Sequence, residues 1–217
     1  MKNYVITIER GFGSGGKTIG CEVAKRLGIP CYSDEIIQMA SEESGLNPEL
    51  FERLQQKNRN GSVSKNLAAI EKAIIVSPGL SATEAIKDEN LYNYQAKIIR
   101  TLQETESCVI VGKAADYVLR DCPNVLSVYI EAPRDYTRRR IMEKQCVPPD
   151  IADNMITRTD RYRADYYEQY THGNYWTNPV NYDITLNSAR LGIEGCVNMI
   201  EQCLKEKLGI KLPEKAG

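Results

Sequence analysis

The sequence predicts an α/β fold built on a parallel sheet. Three observations carry this. A β-rich run at 4–9, a glycine-rich turn at 11–16 and helical spacing from Thr18 to Leu27 open the chain as strand, loop, helix. The same alternation returns after residue 106. Between the two, residues 45–105 carry no strong strand signal.

In order along the chain, Val5, Ile6 and Ile8 suit a strand buried on both faces. Ile19, Val23, Ala24 and Leu27 form the apolar stripe of the first helix, which Gly28 ends and Pro30 keeps from resuming. Cys31-Tyr32 is a short second strand. Ser33 or Asp34 caps the next helix, with Ile36, Ile37, Met39 and Ala40 inside. A short helix from Asn47-Pro48, a polar loop at 58–62, and helices over 64–76 and 82–102 make up a helical insert. Cys108 to Val111 is a buried strand stopped by Gly112. Ala114 to Leu119 is a short helix, and Val125 to Ile130 another strand. Pro133 sits in the first turn of a helix reaching about Lys144. After Pro148-Pro149 a charged helix runs to Tyr170, then a strand at Tyr182–Leu186 and a helix over Ile193–Leu208. The tail from Lys211 is expected to fray.

The 217 residues carry 28 Lys plus Arg against 29 Asp plus Glu, a net charge of -1, which argues against bulk nucleic-acid binding. No apolar run is long enough for a membrane span, and the first residues do not form a secretory signal. Seven cysteines, an odd number without a Cys-x-x-Cys pair, fit a reduced cytoplasmic compartment and are expected to be mostly small buried residues. The one histidine, His172, is expected to be exposed or packed. A histidine metal cluster is excluded by count, and zinc-type cysteine spacing is absent, so any metal is a hard ion with oxygen ligands. Nothing in the sequence sets the oligomeric state.

Gly11-Phe12-Gly13-Ser14-Gly15-Gly16-Lys17-Thr18 fits Gly-x-x-x-x-Gly-Lys-[Ser/Thr] between a strand and a helix. Backbone N–H groups of such a loop curl round a polyphosphate, as in ATP, and the helix N-terminus adds its own N–H groups. Gly11, Gly13, Ser14, Gly15 and Gly16 form the cradle. Lys17 reaches the β- and γ-phosphates, and the Thr18 hydroxyl is a ligand for Mg²⁺. Gly11, Gly13 and Gly16 also read as Gly-x-Gly-x-x-Gly with Asp34 and Glu35 where the ribose acid would lie, but a dinucleotide site has no use for Lys-Thr at the helix start.

Arg134, Arg138, Arg139, Arg140 and Lys144, then Arg158, Arg161 and Arg163, concentrate positive charge in the second half. Arginine forks match phosphate oxygens, so a clamp over transferring phosphates competes with a salt-bridged surface. Arg134, Arg138, Arg161 and Arg163 are the candidate catalytic arginines beside Lys17. Lys113 and Asp116 follow a strand end, and so does Asp34. All three are candidate substrate contacts, and each could equally be a cap or surface charge. No acid directly ends the Val109-Ile110-Val111 strand, leaving the metal shell incomplete.

Several stretches together resemble the cytidylate-kinase-like family, a branch of the P-loop nucleoside monophosphate kinases. They are Ile6 to Gly16, Leu27 to Asp34, Val109 to Leu119, Ile130-Glu131-Ala132-Pro133, Asp160 to Tyr167 and Tyr182 to Asn187. The resemblance covers about 1–45 and 106–205. It implies a P-loop NTPase three-layer sandwich with a five-stranded parallel sheet and a mostly helical insert. Residues 1–44 and 106–217 would form the core, with an arginine-bearing lid at about 134–170, and 45–105 would contribute to the acceptor site. It also implies transfer from ATP, with Mg²⁺, to a small-molecule nucleotide such as CMP or dCMP. Many of these relatives carry Arg-Glu in place of Lys17-Thr18 and Arg in place of Lys113. A kinase for another phosphorylated small molecule, or a nucleotide-binding regulatory module without transfer, is the alternative.

Overall fold

The computed structural model describes residues 3–44 and 88–210. The chain divides into two compact units, one of residues 1–32 and 103–217 and one of residues 33–102.

The first unit holds a five-stranded parallel sheet in the order β2-β3-β1-β4-β5. Its strands are β1 (Val5–Arg10), β2 (Cys31–Tyr32), β3 (Cys108–Val111), β4 (Val125–Glu131) and β5 (Ile184–Asn187). Central β1 pairs Ile6 with Val109 on one side and with Leu126 on the other. With neighbours on both sides, β1 is buried almost throughout, which is why its sequence is a near-continuous apolar run rather than an alternation.

The period of two still sorts the side chains. Ile6, Ile8, Leu126, Val128 and Ile130 face α1 (Gly16–Leu27) and α7 (Ser188–Leu208), where Ile19, Val23, Val197, Ile200 and Leu204 complete the main core. Each such side chain contributes about 1.5–3 kcal/mol by leaving water. Tyr129 points to the opposite face, where it joins Ala114, Tyr167, Trp176 and Tyr182. That face is covered by α4 (Ala115–Val118), the end of α6 (Pro149–Tyr170) and the segment after it.

Helix α5 (Arg134–Gln145) and α6 form a hairpin whose inner side is Ile141, Ala152 and Ile156, with Phe12 of the glycine loop packed against it. Pro149 occupies the first turn of α6, where its missing N–H costs nothing. The described parts of the second unit are α2 (Glu35–Ser44) and most of α3 (Asp88–Thr105), with Ile36, Ile37, Ala40, Ile99 and Leu102 buried. The expected elements between 45 and 87 and the tail from Lys211 lie outside the described residues.

Three expectations change. Strand β5 begins at Ile184, not Tyr182, because a 3₁₀ turn at Pro179–Asn181 feeds directly into it and the Tyr182 hydroxyl donates to the Trp176 carbonyl. The last helix begins at Ser188, because Asn187 Oδ1 accepts the Ala189 and Arg190 N–H groups. Gly192 (φ 68°) then breaks it just before Ile193. The cysteines are mostly not buried: Cys108 and Cys196 are, Cys31, Cys122 and Cys203 are half-buried, and Cys21 and Cys146 are exposed. His172 is exposed, edge-on to Tyr117 at 6.5 Å.

Candidate phosphate-binding site

The site begins where β1 runs out. The Gly11 N–H donates to the Ile130 carbonyl of β4 (3.0 Å), prolonging the strand pairing by one residue. The chain then turns back: Ser14 N–H donates to Gly11 O, and Ile19 N–H to Gly15 O starts α1. Gly13 (φ 85°) and Gly15 (φ 89°) take the left-handed backbone this turn requires. Gly16 is needed for a different reason, since a Cβ there would sit 2.5 Å from Arg10 Cβ. Helix α1 has no side-chain cap and no acid in its first turn, so its N-terminal N–H groups and dipole face the loop unopposed. Lys17 and Thr18 are exposed in that turn. Among the described residues the buried Ser14 hydroxyl has no hydrogen-bond partner. An orphaned donor in a glycine cradle fits an anion supplied from outside.

Helix α6 braces the loop. Asp160 Oδ1 accepts the Phe12 N–H at 2.7 Å, and Arg163 Nη1 donates to the Arg10 carbonyl at 2.9 Å. The Arg163 guanidinium also lies 5.6 Å from the Phe12 ring centre and 3.8 Å from Asp160. Burial pushes the Asp160 carboxyl up to about 6, against the Phe12 N–H and Arg163, which favour its charge. Burial, and then Arg10, bring Arg163 down to about 10. Both remain charged at neutral pH. From α7, Ser188 Oγ donates to the Ser14 carbonyl at 2.6 Å. From α5, Thr137 abuts Gly13 and the Arg140 guanidinium abuts Gly15. The Glu131 carboxylate, held by the Tyr129 hydroxyl (2.7 Å) and the Ala132 N–H (2.9 Å), lies against Gly11.

The candidate arginines separate into two groups. Arg163 is at the loop. Arg134 and Arg138 both bind Asp153 of α6, through Nε at 2.8 Å and 3.1 Å, and Arg134 Nη2 also donates to Thr157 Oγ1 at 2.7 Å. The hydrogen bond from Arg134 leads the effects that hold Asp153 below the usual carboxylate range. Arg161 is exposed on α6. Lys113 (φ 64°) follows Gly112, whose N–H donates to Ile8 O and against which the Arg10 side chain packs. Asp34 is an exposed residue of the second unit.

Asp116 is 5% exposed, with Oδ2 accepting from the Tyr167 hydroxyl at 2.6 Å and Oδ1 without a hydrogen-bond partner among the described residues. Burial, then Glu9, raise its carboxyl to about 7. Glu9 itself accepts from the Ala114 N–H and Trp176 Nε1, each at 3.2 Å.

Asp160, Glu131 and Ser188 are loop neighbours that the sequence does not single out as site residues, and Arg140, one of the basic cluster, reaches the loop although it is not among the four candidate catalytic arginines. An acid, Glu131, does end β4, which lies on the other side of β1 from β3. Among the described residues no three of His, Cys, Asp and Glu gather as metal ligands. The Thr18 hydroxyl, the predicted Mg²⁺ ligand, is exposed beside Lys17 in the first turn of α1.

Residues 5–190 match the cytidylate kinase-like family. No curated protein matches the chain. Among solved structures, an uncharacterized protein from Eubacterium ventriosum ATCC 27560 is similar at 25% identity and a TM-score of 0.68, over 94% of this chain and 99% of that one. A shikimate kinase from Bacteroides thetaiotaomicron is similar at 16% identity and a TM-score of 0.52, over 93% and 98%. A gluconokinase from Sinorhizobium meliloti 1021 gives 13% and 0.51, over 94% and 93%. The fold is that of the P-loop small-molecule kinases.

Proposed function

The chain belongs to the cytidylate kinase-like family, and from that premise we propose that it is an ATP-dependent phosphotransferase acting on a small phosphorylated acceptor, CMP or dCMP in the first instance. The observation that carries the chemistry is the braced glycine loop: left-handed at Gly13 and Gly15, opening an uncapped helix at Lys17-Thr18, with an orphaned Ser14 hydroxyl inside it. Loop amides and Lys17 hold the donor phosphates, so charge moving from the bridging oxygen onto the leaving β-phosphate finds donors already in place. Mg²⁺, held by Thr18, would neutralise charge on the β- and γ-oxygens. Arg163, fixed through the Arg10 carbonyl and Asp160, and Arg140 beside Gly15 bring positive charge to the loop. No covalent intermediate is needed. The acceptor oxygen attacks in line, and the α5–α6 hairpin over the loop limits access of water.

The family supplies the base, and the residues supply a narrower statement. Lys113 past the end of β3, with Arg140 beside Gly15 and Arg163 on α6, offers more positive charge than the donor alone requires, which suits an acceptor that already carries a phosphate. The second reading keeps the chemistry and changes the acceptor to another phosphorylated small molecule. It is favoured by Lys113, which cannot make the bidentate fork of the arginine many relatives carry there. A fold shared with a shikimate kinase and a gluconokinase is compatible with it.

ADP formation from ATP and Mg²⁺ with CMP, dCMP, UMP, AMP, cytidine or no acceptor separates these readings. Fastest turnover with CMP or dCMP supports the first. Faster turnover of another phosphorylated compound selects the second. Equal rates with and without any acceptor would leave a nucleotide-binding module and remove phosphotransfer. Activity with cytidine but not CMP would contradict the charge argument.

A further inference from the structure

Cys21 lies on α1, the helix that carries the glycine loop, and Cys31 opens β2. The two are ten residues apart, and their Sγ atoms are 3.3 Å apart. The close approach follows from the chain path. Helix α1 ends at Gly28 (φ 66°), the Ile29 N–H returns to the Ala24 carbonyl, and Pro30 leads straight into β2. Strand β2 is fixed in turn by parallel pairing of Cys31 with Val109 and Tyr32 with Ile110. A helix stop and a strand register therefore bring the backbones of the two cysteines near one another.

A disulfide needs an S–S separation of about 2.0 Å, so the sulfurs at 3.3 Å must close by roughly 1.3 Å. Cys21 is exposed and Cys31 half-buried, so an oxidant can reach the first and the second can follow. Cys108 and Cys196 are different: both are buried, and burial pushes the Cys108 thiol up to about 12.

We propose that Cys21 and Cys31 are a reversible dithiol–disulfide pair, a covalent modification site that ties the phosphate-loop helix to strand β2. The oxidant is hydrogen peroxide. The Cys21 thiolate attacks one peroxide oxygen, the O–O bond breaks, and Cys21 becomes a sulfenic acid while the other oxygen leaves as water. The Cys31 sulfur then attacks the Cys21 sulfur, the S–O bond breaks, the S–S bond forms, and a second water leaves. Two thiols are oxidised by two electrons as one peroxide is reduced to two waters. A dithiol reductant reverses the step by exchange and is itself oxidised to a disulfide. The inference stands on the sulfur geometry and does not rest on the proposed phosphotransfer.

The test treats the full chain with hydrogen peroxide at low molar excess, blocks remaining thiols with an alkylating agent, and maps the peptides. Lys25 and Arg26 lie between the two cysteines, so trypsin separates them and a bond shows as two joined peptides. The expected result is a Cys21–Cys31 linked pair that dithiothreitol removes, with Cys108 and Cys196 still alkylated after denaturation. In Cys31→Ser the link is lost and Cys21 is trapped as sulfenic acid by a dimedone-type probe. In Cys21→Ser, which alters an exposed side chain, the link is lost and Cys31 stays reduced. Cys21 oxidised to sulfinic acid in the unmodified chain without linkage, linkage of Cys21 to a second copy only, or alkylation of both cysteines at peroxide levels that oxidise the other exposed thiol, Cys146, would each overturn the proposal.

Discussion

Replacing Asp160 with Ala tests whether the brace on the glycine loop serves binding or only folding. The carboxylate accepts the Phe12 N–H at 2.7 Å and lies 3.8 Å from the Arg163 guanidinium, which holds the Arg10 carbonyl. A hydrogen bond to a charged group contributes about 1.5–3 kcal/mol. Burial lifts this carboxyl from 3.8 to about 6 even with the Phe12 N–H and Arg163 favouring its charge, so the folded chain gives up stability to ionise it at neutral pH and removal of the carboxylate relieves that cost. The loop has no such relief, because the Phe12 amide loses its only side-chain anchor among the described residues. If the bond serves to hold the loop in its phosphate-ready shape, its loss weakens ATP binding by about ten- to hundredfold. Calorimetric titration with ATP and Mg²⁺, alongside urea unfolding, reads both quantities. The expected result is a small change in unfolding midpoint with a large loss of affinity, and partial recovery in Asp160→Asn, which keeps an acceptor oxygen. Unchanged affinity in Asp160→Ala would refute the reasoning. A large loss of stability with intact affinity in the folded fraction would make the brace purely structural.

Lys17→Ala should leave the fold intact, since the side chain is exposed, while removing most phosphoryl transfer and weakening ATP binding in the same titration. Gly16→Ala should lower the unfolding midpoint, because a Cβ 2.5 Å from Arg10 Cβ overpacks by about 1–3 kcal/mol against a helix-propensity gain of about 1 kcal/mol. Asp116 is held protonated to about 7 in the folded chain but ionises near 3.8 when unfolded, so its contribution is fully present at low pH and is lost as pH rises between those values. Asp116→Asn should therefore gain stability relative to the unmodified chain between about pH 5 and pH 8, whatever its offset at pH 5; parallel pH profiles of the urea midpoint would count against it.

What the sequence shows clearly is what is local. The glycine loop, its flanking strand and helix, and the helix stop at Gly28 depend on residues within a few positions of one another, and they stand where expected. Which arginine meets the loop is not local. Arg134, Arg138 and Arg163 look alike in a charge count, but Asp153 on the facing helix takes the first two and Asp160 with the Arg10 carbonyl takes the third. That division follows from the register of the α5–α6 hairpin, set by Ile141, Ala152 and Ile156, and no periodicity within either helix encodes it. The burial of Asp116 was hidden for a similar reason. Tyr167 lies 51 positions away, and Trp176, which covers the same face, is further still. Asn187 is a legible cap in isolation, but Gly192 interrupts the helical stripe that would have drawn attention to it.

The central claim is transfer of the ATP γ-phosphoryl group to a small phosphorylated molecule. Its most direct test follows that group with ATP labelled in the γ-position, Mg²⁺ and the purified chain, separating products after incubation with CMP, dCMP and other phosphorylated acceptors. The account predicts label in a new diphosphate or bisphosphate product, dependent on the acceptor and abolished in Lys17→Ala. Label found only as inorganic phosphate, at a rate no acceptor changes, would contradict it.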